Sequence, residues 1–205
     1  MNSVADRHSS APPKRLESGD QGPLLVLDLD ETLIHASDAS PDAKPDNRVF
    51  GYSIYRRPGL DAFIDEVGRH FMLGVWTSSS ADYAREICAL VFPDPAALQF
   101  IWARDKCTRR RDWESQDVVY VKRLIKLRRY GYDLSRVLVV DDSPEKHPGN
   151  YGNLVRVTPF EGDPRDEELR YLASYLVDLA RHPDMRRIEK RGWRNRRRSD
   201  EAGPT

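Results

Sequence analysis

Asp28 and Asp30 stand two residues apart at the end of the apolar run PLLVLDL, with Glu31 and Thr32 directly behind them in LVLDLDETLIHAS. Residues i and i+2 of an extended chain face the same side about 6 to 7 Å apart, so these carboxylates can flank one small tetrahedral group. A second pair, Asp141 and Asp142, closes another apolar run in RVLVVDDSP, Thr77 closes a third in FMLGVWT, and Lys122 precedes the RVLVV run. If both acid pairs converge, each close pair of like charges costs about 4 kcal/mol at an effective dielectric of 20. A cation must then share the site. Hard carboxylate oxygens suit Mg²⁺, which takes one or two carboxylates together with a phosphate. Lys122 would supply the remaining fixed positive charge, and the Thr77 hydroxyl a hydrogen bond to a phosphoryl oxygen.

Each residue also has an ordinary reading. An acid at a strand end caps a helix or sits in a solvated loop, TSSS is a capping turn, and a lysine at a helix start is surface. The joint pattern is what points to one site: D-x-D-x-T, then Thr/Ser, then Lys, then D-D, each at the terminus of an element.

Those elements are legible in the apolar pattern. PLLVLDL and FMLGVWT are short continuous apolar runs, which predict strands buried on both faces of a parallel sheet. VFGYSIY (49–55) alternates as a strand or hairpin arm, and Arg57-Pro58-Gly59 then leads into Leu60, Phe63, Ile64 and Val67 at helical spacing. The Ser run after Thr77 can cap a helix carrying Tyr83, Ile87 and Leu90. LQFIWA precedes a charged segment, RDKCTRRRDWESQD, expected to be a loop or an exposed insertion. VVYVKRLIKL leads into a helix with Lys122 near its start, RVLVV and LVRV are further strands, and Leu169, Leu172, Leu176 and Leu179 line one face of a late helix. Strands alternating with helices predict an α/β fold, a doubly wound parallel sheet. In such sheets the ligand crevice lies outside the carboxyl ends of the strands, where the acids, Thr77 and the D-D pair fall.

The chain of 205 residues carries 33 Lys+Arg against 33 Asp+Glu, so its net field gives no argument for nucleic acid, a membrane surface or a generally charged substrate. Residues 1–22 mix Ser, Pro, Gly and charge with almost nothing apolar and are expected to be a flexible leader. Residues 38–47 read as loop. Cys88 and Cys107 have neither metal-ligand spacing nor a disulfide framework, which fits buried thiols in a reducing compartment. No apolar run approaches the ~20 residues that span a bilayer, and a secretory block is missing at the N-terminus; the expectation is a cytoplasmic protein with no membrane partner.

With these residues in place, the sequence resembles the haloacid dehalogenase superfamily of phosphotransferases. Within it, the similarity is to the small C-terminal-domain phosphatases and NLI-interacting-factor-like proteins. It runs from about Pro23 to Trp193: LDLDETLIHAS resembles that branch's first motif, WTSSSADYA its second, YVKRL its third and VVDDSP its fourth, and ARDKC resembles the segment preceding the lysine motif. The resemblance implies a phosphatase domain over 23–183 with a small insertion, followed by a basic C-terminal helix or tail over 184–205.

It further implies a double displacement on a phosphorylated protein, through phosphoserine or phosphothreonine. Asp28 takes the phosphoryl group as an aspartyl-phosphate, and Asp30 protonates the departing oxygen and later deprotonates water. Mg²⁺ would be held by the Asp28 carboxylate, the backbone carbonyl of Asp30 and Asp142, with Asp141 orienting either the metal shell or Lys122. Thr77, Ser78 and Lys122 would meet the phosphate. Thr32 either ties the loop behind Asp30 or is a plain turn hydroxyl. The eukaryotic phosphatases of this branch carry Asn where Asp142 stands, and the extra charge should tighten Mg²⁺.

In the similar phosphatases an aromatic pocket beside the site accepts a proline-containing phosphoserine segment. Tyr83 matches a pocket tyrosine and Arg104 a pocket arginine; the alternatives are a core aromatic and a solvated arginine. The segment between the first motif and RRPG is short and poor in apolar residues, which predicts an incomplete pocket. The basic run MRRIEKRGWRNRRR (185–198) either touches a phosphate-rich partner or docks Ile188 and Trp193 on the body with its arginines in water. Two other classes keep related features: a catalytically silent adaptor of the same fold, as among mitochondrial import receptors, and a receiver-type switch that retains its aspartyl-phosphate. Intact Asp28, Asp30, Thr77, Lys122 and Asp142 speak against the first, and motif order and the second acid against the other.

Overall fold

The computed structural model describes residues 10, 12, 14, 22–38, 44–111 and 117–202, with side chains as far as 197. In chain order the first half comprises β1 (Leu24–Leu27), β2 (Ile34–Ser37), β3 (Asn47–Val49), β4 (Tyr52–Arg56), α1 (Leu60–Gly68), β5 (Met72–Trp76) and α2 (Ala81–Val91). There follow β6 (Ile101–Trp102), β7 (Thr108–Arg111), β8 (Val118–Val121), β9 (Val137–Asp141), β10 (Leu154–Arg156), α3 (Glu168–Ala180) and α4 (Trp193–Ala202).

Five of the strands form one parallel sheet in the order β10-β9-β1-β5-β6. The chain moves outward from β1 through β5 to β6, then crosses back to lay β9 and β10 on the other side. The switch point therefore falls between β1 and β9, where a ligand crevice is expected. All four residues of β1 are buried, which a central strand covered on both faces requires. Leu25 and Leu27 enter the core that also holds Phe63 of α1, Ile87 of α2 and Leu172 of α3, while Leu24 and Val26 face a second core with Trp76 and Trp102. Gly74 is what lets this second core close, since a Cβ there would lie 2.7 Å from the Phe100 ring.

Two antiparallel additions flank the sheet. β2-β4-β3 forms a three-stranded sheet, the small insertion expected after the first motif. β7 and β8 pair as a hairpin, so the charged segment expected to be a loop or an exposed insertion contributes a strand over Thr108–Arg111: Thr108 lies opposite Val121 and Arg111 opposite Val118. The helix expected from VVYVKRLIKL is likewise a strand followed by a 3₁₀ helix (Leu124–Tyr130), whose Leu124 and Leu127 cover the second core. β-branched Val118, Val119 and Val121 favour the extended form over a helical turn.

Most of the leader expected over 1–22 lies outside the described residues, as do 39–43 of the expected loop. Ser10 is buried, its hydroxyl donating to Asp105 Oδ1 at 2.6 Å and accepting the Ala103 N–H at 2.9 Å. Among the described residues no helix is long and apolar enough to cross a membrane. At the other end of the chain, Met185 and Trp193 belong to the main core. The Trp193 ring stacks on Tyr175 at 5.4 Å and its Nε1 donates to the Arg156 carbonyl at 2.7 Å. Lys190 is buried with its ammonium donating to the carbonyls of Gly152, Met185 and Ile188. Arg194 pairs with Glu168 at 2.7 Å and Arg197 with Asp178, so these arginines of the basic run are spent on α3.

This docking makes a prediction. Trp193→Ala removes a ring that is 3% exposed, and should cost about 3 to 5 kcal/mol and lower Tm by about 10 °C in a thermal melt. An unchanged Tm would show that the segment from 184 onward is not part of the domain's core.

Candidate active site

Strand register builds the site. Leu27 of β1 lies beside Val140 of β9, and the Asp28 N–H donates to the Val140 carbonyl at 3.0 Å. The next residues along the two strands, Asp28 and Asp141, are therefore lateral neighbours, about 4.8 Å apart at the backbone. Both are buried. What makes the arrangement tolerable is Lys122, whose Nζ lies 2.8 Å from Asp28 Oδ2 and 2.6 Å from Asp141 Oδ2 and is itself fully buried. The lysine follows β8, and its backbone is pinned on both sides to the loop after β9. Its N–H donates to the Lys146 carbonyl at 2.8 Å, and its carbonyl accepts from Asn150 Nδ2 at 2.6 Å.

The two acids are not equivalent. Asp141 is engaged on both oxygens: Oδ2 meets Lys122 and, at 2.8 Å, His147 Nε2, while Oδ1 accepts the Ser143 N–H at 2.9 Å. Burial works against its charge, but Lys122 and His147 more than offset it and hold the carboxyl well below the usual range. For Asp28 the same burial dominates and the charge of Asp141 adds to it. Its carboxyl is pushed up to about 7 although Lys122 and Lys146 pull the other way. Burial also disfavours the Lys122 ammonium, yet Asp141 and Asp28 lift it above an ordinary lysine, so it stays charged. Asp142, half-buried, is raised by burial and by Asp141. Its Oδ1 lies 3.4 Å from the Thr32 hydroxyl, which ties the loop behind Asp30 to the acid pair.

Asp28, Asp141 and Asp142 each bring a carboxylate oxygen within 4.8 Å of the others. This all-oxygen, net-negative set of three carboxylates fits a hard divalent cation such as Mg²⁺.

Asp30 points to the other side of the crevice. Its Oδ1 accepts the Tyr83 hydroxyl at 2.6 Å, and its Oδ2 accepts Ser79 Oγ at 2.8 Å and Thr77 Oγ1 at 3.4 Å. The TSSS run is divided among separate tasks. Thr77 accepts the Ser79 N–H at 3.0 Å, Ser78 offers its carbonyl to Arg104 Nε at 2.7 Å, and Ser80 caps α2 by accepting the Tyr83 N–H. Tyr83 consequently stands on the first turn of α2 with its ring over Asp30. It is 8% exposed, and burial and the Asp30 charge both raise its hydroxyl pKa.

Beside Asp30 opens a cavity of about 360 Å³ lined by Phe50, Tyr52, Ser79, Tyr83 and Arg104 among others. The aromatic wall comes from the small sheet, so the pocket expected to be incomplete does have one. Phe50 and Gly51 form the turn between β3 and β4 with φ of 50° and 91°, the left-handed pair of a tight hairpin. A phenylalanine there is strained and is also 66% exposed, a cost with no packing return inside the chain. Tyr52 meets Tyr83 edge-on at 6.5 Å.

Three functional positions were not singled out from the sequence. Ser79 is hidden in a run of equivalent serines, of which only the turn geometry selects one. His147 follows Asp141 by six residues in a loop with no periodic signal. Arg57, buried, donates from its Nε to Asp166 Oδ1 at 2.9 Å and from a guanidinium nitrogen to the Thr32 carbonyl at 3.0 Å, locking the loop behind Asp30 onto the segment before α3. Its RRPG context reads only as a helix start.

The family model described as NLI interacting factor-like phosphatase matches residues 23–186. The chain belongs to this family. It is 31% identical over 168 residues to the human carboxy-terminal domain RNA polymerase II polypeptide A small phosphatase 1, covering 78% of this chain and 60% of that protein. It is 32% identical over 170 residues to the mitochondrial import inner membrane translocase subunit TIM50 of Phytophthora infestans, covering 81% of this chain and 37% of the relative. The chain thus spans less than two thirds of either relative. The structure of Fcp1, an essential RNA polymerase II CTD phosphatase, superposes with a TM-score of 0.59 at 21% identity over 78% of this chain and 62% of that one. The NLI interacting factor-like chain therefore shares the mixed α/β, haloacid dehalogenase-like fold.

Lys122→Met would leave two buried carboxylates facing each other, and should cost about 3 to 5 kcal/mol in urea unfolding. Adding Asp28→Asn should restore part of that loss. If the double variant is less stable than Lys122→Met alone, the lysine is not neutralising this pair.

Proposed function

We propose that this chain is a Mg²⁺-dependent phosphatase that hydrolyses phosphoserine or phosphothreonine in proteins through an aspartyl-phosphate on Asp28. The observation that carries the reading is the unequal pair: Asp141 is saturated by Lys122, His147 and a backbone N–H, while Asp28, two residues from Asp30, is the less satisfied carboxylate. An Asp28 oxygen attacks phosphorus, the bond to the substrate oxygen breaks, and Asp30, entering the cycle protonated, gives that oxygen its proton. Asp30 then takes a proton from water, whose oxygen attacks the aspartyl-phosphate, releasing phosphate and regenerating Asp28. Hydroxyls both donate and accept, so Tyr83, Ser79 and Thr77 can hold the Asp30 carboxyl in either protonation state.

Mg²⁺ would be held by Asp28, Asp142 and the Asp30 carbonyl, supplying charge neutralisation between nucleophile and phosphoryl oxygens. Asp141 would chiefly orient Lys122, since its Oδ2 meets both that ammonium and His147. Lys122 would bear on a phosphoryl oxygen, and the cavity walled by Phe50, Tyr52 and Tyr83 would take the residues beside the phosphorylated one.

The wild-type chain should release phosphate from p-nitrophenyl phosphate with Mg²⁺ and stop when the metal is chelated. Asp28→Asn should lower kcat by at least about 10³-fold, because no other group can take its place as nucleophile. A second reading, a silent adaptor, has support in the similarity to TIM50; folded wild type inert toward the aryl phosphate and toward phosphopeptides would select it. Asp30→Asn discriminates further. An alkoxide leaves poorly without a proton while an aryl oxide does not, so kcat should fall about 10²-fold more on phosphoserine than on p-nitrophenyl phosphate. Equal losses on both would remove Asp30 from the role of general acid.

A further inference from the structure

The strands of the β7–β8 hairpin are not used by the catalytic reading, yet the hairpin connects to the cavity through Arg104. β7 is Thr-Arg-Arg-Arg, and Arg109, Arg110 and Arg111 are exposed. Opposite residues of an antiparallel pair share a face. Arg109 pairs with Tyr120 and Arg111 with Val118, so these four side chains form one face of the hairpin. Arg104 joins that face to the active site, its guanidinium lying 5.1 Å over the Tyr120 ring while the residue lines the cavity with Asp30, Ser79 and Tyr83. The result is a continuous strip that runs from Asp30 through Arg104 and Tyr120 to Arg109. Among the described residues neither Arg104 nor Arg109 makes an ion pair, whereas Lys122, Arg57 and Arg194 all do. The chain as a whole is neutral, so this clustering is local.

We propose that the hairpin face is a specificity surface for the substrate: it takes an extended phosphoprotein segment whose residues flanking the phosphoserine are acidic or phosphorylated. The proposal rests on the phosphatase reading and adds the substrate's charge pattern to it. Guanidinium forks match carboxylate and phosphate oxygens alike, so the shared chemistry is an anionic oxygen pair one or more residues away from the scissile phosphate. The Tyr120 ring, with Arg104 on one side, gives the intervening backbone an apolar wall. A polyanion such as nucleic acid is disfavoured because the strip leads into the Asp30 cavity instead of along the molecule's outer surface.

The experiment measures kcat/KM on phosphoserine peptides of one sequence whose flanks, on the N-terminal or the C-terminal side, carry Ala, Glu, Lys or a non-hydrolysable phosphonate analogue of phosphoserine. Wild type should favour Glu over Ala on one side by about threefold per residue. The phosphonate should gain more, and both gains should shrink in 0.5 M salt. Arg109→Glu should reverse the order, favouring Lys-flanked over Glu-flanked peptide. Each preference is a ratio within one preparation and does not depend on how much of the variant folds. Equal kcat/KM across the flanks would overturn the proposal, as would a Glu preference that Arg109→Glu leaves intact. Binding of single-stranded DNA or RNA that Arg109→Glu abolishes while peptide ratios stay flat would assign the strip to nucleic acid instead. p-Nitrophenyl phosphate, too small to reach Arg109, separates the two levels. Wild type that turns it over but ignores the flanks loses only the hairpin proposal, and folded wild type inert toward it and toward every phosphopeptide loses the phosphatase reading and this one together.

Discussion

A single ammonium group held between two buried carboxylates is the constraint on which the centre of this molecule depends. Asp28 and Asp141 are neighbours because β1 and β9 are parallel and in register, and that pairing exists only because the chain reverses its winding between them. Removing a carboxylate from water costs several kcal/mol even after relaxation, so two such groups at one strand spacing cannot stand alone. Lys122 answers that cost at 2.8 and 2.6 Å, and its own burial is tolerated only because both acids surround it. Each partner makes the burial of the others possible.

Three groups sharing two negative charges and one positive leave an imbalance, and the surroundings decide where it falls. Asp141 has His147 and the Ser143 N–H in addition to the lysine, and its carboxyl is held low. Asp28 has the lysine and the N–H of Leu29, 2.9 Å from Oδ1, and burial pushes its carboxyl up. Asp28 is therefore the acid whose charged form is the less compensated of the two. A carboxylate in that state gains most from an approaching divalent cation and from bonding an electrophile, and Asp142 beside it adds to the demand for the cation. Positioning and reactivity come from the same asymmetry.

How much of this could be read in the sequence follows from the kind of signal each part leaves. Asp28, Asp30, Thr77, Asp141 and Asp142 lie at the ends of apolar runs, and a parallel sheet brings all carboxyl ends of its strands to one edge, so their convergence is legible in the sequence. Lys122 was legible as a residue but not as a local structure: VVYVKRLIKL has the charges of an exposed helix, and its pairing with TRRR is a tertiary fact that overrides the pattern. TRRR is exposed at all three arginines and has no alternation in hydropathy, which hides it from a periodicity argument. Phe50 was invisible for a related reason. One exposed aromatic in a turn carries no weight in an apolar count, and its importance lies in a φ of 50° and in what it faces. Ser79 and His147 depend on turn geometry alone.

The division between scaffold and additions gives the molecule its logic. The acids of the site sit at the ends of parallel strands or within a few residues of them, and Lys122 enters from the end of β8, where backbone hydrogen bonds to the loop after β9 leave it little freedom. The two antiparallel pieces contribute none of the buried acids, yet β2-β4-β3 walls the cavity beside Asp30 with Phe50 and Tyr52, and β7–β8 meets it through Arg104, which stacks on Tyr120. Exposed aromatic and cationic groups held at some cost in backbone strain and like-charge repulsion are poorly explained by stability. They are explained if the sheet, with Lys122 at the end of β8, determines what reaction occurs, and the exposed aromatic and arginine side chains of the additions determine which chain is presented to it.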